Sequence, residues 1–153
     1  MQNEIKSRTR LALIQFIFSS FFKNENLNLL KDEFDYFYKV NLNKNYDYKS
    51  SKVNYNKTFF NKLVSNYIKN IDENNLEKKI DSYINFDRPF KKWDKINQAI
   101  ILATISELIN TDKNKIKIVL KDYLDISINL ISLKELKMIN AILHKYLDEK
   151  KIL

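Results

Sequence analysis

An all-α fold of about seven helices is what this sequence predicts, and three observations carry the prediction. The 153 residues include no glycine and one proline, so the chain lacks the residue that tight hairpins, phosphate-cradling loops and dinucleotide fingerprints need for positive φ. Apolar residues recur at helical spacing along most of the sequence. Hydrophobic residues make up 44% of the chain and aromatic ones 13%, enough to build a core, while Asn, Asp and Ser serve the turns. A chain of this length is expected to form one domain, 1–153.

Helix one is expected from about Asn3 to Phe22, with Leu11, Ile14, Ile17, Phe18, Phe21 and Phe22 at helical spacing. It is apolar nearly all round after Arg10, so other helices must wrap it and only its basic first turns project toward solvent. A second helix follows Asn26 as N-cap and runs to about Val40 through Leu27, Leu30, Phe34, Phe37 and Tyr38. Residues 41–57 are rich in Asn, Lys, Tyr and Ser without apolar period, and read as a long loop or a locally disordered insertion. Helix three spans about Asn56 to Asn70 and helix four about Glu73 to Asn85. Pro89 forces Arg88 out of the helical region and divides an N-terminal half, 1–88, from a C-terminal half, 89–153. Helix five starts near Lys92 and is apolar over most of its circumference from Ile96 to Ile109, which makes it central and buried. Helix six spans about Asn114 to Ile126. Ser132 with Glu135 forms a capping box that opens the last helix, whose apolar face is Met138, Ile139, Ile142, Leu143 and Tyr146.

With no cysteine, disulfides, thiolate nucleophiles and Cys-based zinc sites are excluded, and the single histidine, His144, builds no metal site alone and reads as a surface position. Serines stand without a glycine elbow, and carboxylate pairs such as Asp32–Glu33 and Asp148–Glu149 fall at exposed helix positions. The expectation is a protein that is not an enzyme and uses no cofactor. Gln15, Ser19 and Lys23 interrupt one apolar stretch and Glu107 the other, so neither reaches the roughly 20 residues of a membrane span. Lys6, Arg8 and Arg10 ahead of Leu11 imitate a secretory leader, but Phe21, Phe22 and Lys23 are wrong for a cleavage site. A cytoplasmic protein is expected.

The formal charge of +8 brings nucleic acid into range as a partner. Only Arg8, Arg10 and Arg88 are arginines among 27 basic residues, and a guanidinium is retained where planar recognition matters. Lys6, Arg8 and Arg10, with Gln15 and Phe18 further along the same helix, therefore form a candidate surface for single-stranded RNA, cations for phosphates and a ring for stacking. On spacing alone Phe18 is more often core than platform, and two arginines on a first turn also fit a solvated helix end. Tyr46, Tyr48 and Tyr55, interleaved with Lys44, Lys49 and Lys52, form a second group that either stacks bases or merely fills a loop.

Three stretches carry a resemblance over nearly the whole chain. KSRTRLALIQFIF, residues 6–18, is similar to an arginine-rich opening of helix one followed by an Ala-x-x-Gln-x-Leu-Tyr pattern, here Ala12, Gln15, Ile17 and Phe18. WDKINQAIILATISEL, residues 93–108, is similar to a central helix with Asp94, Ala99, Glu107 and Leu108 in place. VLKDYLDI followed by KELKMINAIL resembles the paired last helices. In this order and spacing the chain resembles the NusB family of transcription antitermination factors. The resemblance implies two small packed helical bundles and no chemistry. It also implies binding of boxA-type RNA together with the small-subunit ribosomal protein NusE, within the RNA polymerase antitermination complex. Carried over by position, Lys6, Arg8, Arg10, Gln15 and Phe18 face RNA, with Tyr83 and Met138 as weaker candidates. Ser7 and Thr9 thin the basic cluster, and Met138 stands where an aromatic is usual. Gln98 and Leu102 replace cations common on helix five, and Ala141 replaces a glycine, which implies wider helix packing there. Two alternatives are a protein-interaction adaptor and a DNA-reading helix-turn-helix, for which helix five is too apolar.

Overall fold

The computed structural model describes residues 1–23, 26–34, 55–84 and 88–150. Among them are seven α-helices and no strand: α1 (Asn3–Ser20), α2 (residues 27–34), α3 (Lys57–Glu73), α4 (Leu76–Asp81), α5 (Lys95–Ile109), α6 (Ile116–Ser127) and α7 (Leu133–Glu149), with 3-10 turns at Phe90–Lys92 and Lys113–Lys115. The all-α expectation holds. No described helix is long and apolar enough to cross a membrane.

α5 is the axis of the fold. Every residue from Asn97 to Leu108 is buried, and α1, α3, α4, α6 and α7 all pack against it, as its unbroken apolar circumference requires. Arg10 meets Glu107 near the end of α5 while Phe21 lies beside Lys95 at its start, so α1 and α5 run antiparallel. Phe60 of α3 packs against α1 and α2, with its ring 6.1 Å from Phe16, stacked on Phe34 at 5.3 Å and tilted against Tyr55 at 5.0 Å. Buried apolar residues on both sides of Pro89 join one cluster.

Several boundaries differ from the sequence expectation, each for a local reason. α1 stops at Ser20 because the Ser19 and Ser20 hydroxyls donate to the carbonyls of Phe16 and Ile17 and compete with the helix ladder; Phe22 is left exposed. α3 runs on to Glu73 because buried Asn70 donates to the Ser106 carbonyl and hydroxyl and to Asn110, which holds its last turn on α5. Asn75 then turns the corner at φ 47°, a left-handed conformation that asparagine tolerates. α4 is left with six residues, starting at Leu76 rather than Glu73. Asn56 caps α3 by accepting from the Phe59 amide. The second-helix residues Phe37, Tyr38 and Val40, and residues 41–54, lie outside the described residues.

After Pro89 the chain turns its Phe90 and Trp93 rings into the core. Gln98 secures that turn by donating to the Trp93 and Lys91 carbonyls, and Asp81 accepts from the Phe90 amide. Gln98 and Leu102 are thus core residues that present no surface at which a cation would stand. Ala141 is exposed, so the wider packing expected from it does not arise among the described helices.

α7 opens on the expected capping box: the Ser132 hydroxyl accepts from the Glu135 amide while Glu135 accepts from the Ser132 amide. Glu135 also accepts from Asn97 of α5 at 2.7 Å, and these hydrogen bonds, Asn97 first, hold its carboxyl below the usual range. Ser132→Ala is therefore expected to cost about 1 kcal/mol of stability, read as a lower denaturant midpoint at unchanged slope.

Candidate nucleic-acid interface

Of the cations at the start of α1, Arg10 lies inside the protein. Its position one turn before Leu13 and Ile14 places it on the buried side of the helix, and the residue is 7% exposed. Nε and Nη2 donate to the Glu107 carboxylate at 2.9 and 2.8 Å, and Nη1 donates to Asp122 at 2.6 Å. The guanidinium lies between the rings of Phe59 and Tyr123, 5.5 and 5.8 Å from their centroids. The Tyr123 hydroxyl donates to Glu107 at 2.7 Å. Burial alone would lower the guanidinium pKa, but Glu107 and then Asp122 outweigh it and hold Arg10 above its ordinary value. Burial, and after it Glu107, pushes the Tyr123 phenol up. The sequence places the basic first turns toward solvent; for Arg10 the structure reverses this, because Glu107 and Asp122 draw it inward.

The same carboxylates fix the first turns of α1. Ser7 donates to Asp122 at 2.5 Å, so one aspartate on α6 holds two successive turns. Lys6 and Arg8 are left toward solvent: Lys6 is half-buried, and Arg8 is exposed with its guanidinium on Glu4 at 2.6 Å, a solvent-screened pair of little net strength. Lys6 lines a groove of about 460 Å³ between α1 and α6 that also holds Lys115, Lys121, Asp122 and Asp125. Lys115 and Lys121 were not singled out from the sequence. The lysine density of residues 113–121 was the available sign.

The other sequence candidates are spread apart. Gln15 and Phe18 lie nine and twelve residues beyond Lys6, about 13 and 18 Å along the helix. Gln15 is half-buried, and Phe18 is half-buried with its ring 5.1 Å from Phe22. Tyr83 is buried, its ring 6.5 Å from Tyr146, and its carbonyl accepts from Lys145. Met138 lines a separate groove with Arg88, Trp93, Asp94, Asn97 and Lys134. Tyr55 packs on Phe60, while Tyr46 and Tyr48, with Lys44, Lys49 and Lys52, lie outside the described residues. His144 is exposed on α7, and no group of three or more acidic, His or Cys side chains among the described residues is arranged to hold a metal.

A model of the NusB family matches residues 7–148. The transcription antitermination protein NusB of Rickettsia felis is 25% identical over 145 residues, covering 94% of this chain and 92% of that protein. The proteins of the same name from Rickettsia typhi and Rickettsia massiliae are 26% and 24% identical over 152 and 145 residues, with the same coverage. No solved structure matches at a significant level.

Proposed function

The chain belongs to the NusB family, and from that premise we propose that it binds boxA-type single-stranded RNA together with the ribosomal protein NusE. In this reading it is a transcription antitermination factor, as its relatives' names are, and it joins the RNA polymerase complex in the cytoplasm without catalysing a reaction. The observation that carries the RNA reading is the basic edge where α1 meets α6. Lys6 and Arg8 stand on turns pinned by Asp122, and Lys115 and Lys121 line the same groove as Lys6. Lysines and an arginine held on a rigid helix start bind phosphates without first being ordered.

Within the proposal Lys6 and Arg8 contact phosphate, and Arg10 positions them through Asp122 and Glu107. Gln15 and Phe18 extend the surface along α1 toward bases, the outer edge of the Phe18 ring offering a stacking face. Met138 and the exposed Arg88, in the separate groove beside α7, would give the strand a further contact. Tyr83, buried against Tyr146, supports α7 from beneath. Two adjacent basic proteins engage one strand more tightly than either alone, so RNA affinity is expected to rise when NusE is added.

The test is a salt titration of boxA-type RNA binding. Lys6→Ala with Arg8→Ala is expected to remove about two phosphate contacts and flatten the slope by roughly 1.4, at about 0.7 per contact for single strands. Folding stability should change little, since both side chains reach solvent. An unchanged slope in a folded double variant would show that this edge is only a solvated helix end.

A further inference from the structure

A second groove, of about 490 Å³, runs between α4, the corner joining α5 to α6, and the end of α7. Lys79 of α4, Lys113 of the corner and Lys150 at the close of α7 line it, together with Asn74, Thr111 and Tyr146. No carboxylate lines it. Three other grooves on the described surface differ in this respect: Glu77 and Asp81 line the one beside Pro89, Asp122 and Asp125 the one beside α1, and Asp94 and Glu135 the one beside Met138.

The lysines are also brought together rather than spread. The Lys79 and Lys150 ammonium groups lie 5.9 and 6.0 Å from the centroid of the same Tyr146 ring. Glu149 at the rim pairs with Lys79 at 3.7 Å, a long contact, and also feels the Lys150 charge, so one carboxylate stands beside two ammonium groups while Lys113 makes no ion pair among the described residues. The Thr111 hydroxyl and the Asn74 amide already donate to the Glu107 carbonyl and to Asn70, so the ammonium groups are what the groove offers a ligand. Burial, and then the neighbouring Lys150, holds Lys79 below the usual lysine range. Two cations held side by side repel each other, and a dianion between them removes that repulsion.

We propose that this groove binds phosphate groups, and that they belong to the RNA strand as it leaves the α1 edge. The proposal rests on the RNA-binding reading above for the source of the phosphates, though not for the chemistry of the groove. Continuity of charge supports the strand as the source: Lys113 lines this groove and Lys115, two residues on, lines the groove beside Lys6. The corner between α5 and α6 thus carries cations on both sides, and a strand crossing it passes from one groove into the other.

The test uses the full chain in two arms, with the lysine side-chain resonances followed by NMR. One arm titrates inorganic phosphate and the other boxA-type single-stranded RNA. In both, the signals of Lys79, Lys113 and Lys150 are expected to move. Lys79→Gln with Lys150→Gln should flatten the RNA salt slope by roughly 1.4, and Lys113→Gln alone by about 0.7. Because Lys113 makes no ion pair with α7 or α4, its variant guards against a folding effect, and unchanged thermal midpoints accompany the expected result. Movement with phosphate alone, at an unchanged RNA slope, keeps the phosphate site and assigns it to a free phosphorylated ligand. Unmoved lysine signals in both arms overturn the proposal. Failure of the parent chain to bind RNA sinks the functional reading, and the phosphate arm still decides the groove.

Discussion

Replacing Arg10 by alanine is expected to lower folding stability by about 3–5 kcal/mol, the cost of removing one partner from a buried ion pair. Glu107, 8% exposed, would keep only the Tyr123 hydroxyl as a side-chain donor among the described residues, and Asp122 only Ser7. The rings of Phe59 and Tyr123 would lose the flat cation between them. At roughly 2–4 °C per kcal/mol for a chain of this size, the thermal midpoint should fall by about 6–20 °C. Arg10→Lys should recover only part of this, because one ammonium cannot supply the fork that serves Glu107 twice and Asp122 once. Combining Arg10→Met with Glu107→Gln and Asp122→Asn removes all three charges and is expected to restore most of the stability, as it leaves no unpaired buried ion. An Arg10→Ala variant with unchanged midpoint and a salt slope flattened by about 0.7 would instead make Arg10 an outward phosphate contact.

That pairing marks the boundary of what the sequence discloses. Local patterns were legible: the apolar circumference of α5, the Asn26 cap, and the capping box at Ser132 and Glu135 each depend on residues within a few positions of one another. The corner at Asn75 was missed because its left-handed conformation leaves no mark in a chain whose turns are already full of asparagine. Arg10 was missed for a different reason. Its partners lie 97 and 112 residues away, and the rule that charged residues face solvent assigned it to the surface. Two features did point inward: Arg10 shares a face with Leu13, Ile14 and Ile17, and Glu107 stands alone as an acid inside the most apolar helix. A buried carboxylate requires a cation, and in a chain rich in lysine the retained arginine is the one to supply it. Of the proposed basic edge, Lys6 and Arg8 can be named from the sequence, while Lys115 and Lys121 come beside Lys6 only through packing of α6 on α1.

Ala103→Asp tests the other half of the fold, the claim that α5 is enclosed on every side. Ala103 is fully buried at the middle of that helix, with Leu102 and Thr104 also fully buried beside it. Unlike Glu107, which Arg10 and Tyr123 reach, a carboxylate at 103 would have no cation of its own: Glu107, one turn further on the same helix, already takes Arg10 and adds a like charge. Desolvation raises the pKa of such a group by up to 3–5 units, so at neutral pH the folded carboxyl holds a proton that the unfolded chain has released; at about 1.4 kcal/mol per unit over the roughly three units between the unfolded pKa and pH 7 the loss comes to about 4 kcal/mol, to which the cost of burying the neutral carboxyl adds. That is comparable to the whole stability of many domains of this size, so the variant is expected to be largely unfolded or to melt far below the parent. The pH dependence carries the diagnosis. The folded state would hold the proton that the unfolded chain releases near pH 4, so the deficit should grow as pH rises through the interval between those two pKa values and shrink again on acidification. Ala103→Gly, which removes one methyl and adds backbone freedom, should cost only about 1 kcal/mol with no such pH dependence. A variant Ala103→Asp that melts with the parent at every pH would place solvent at the middle of α5 and undo the architecture built around it.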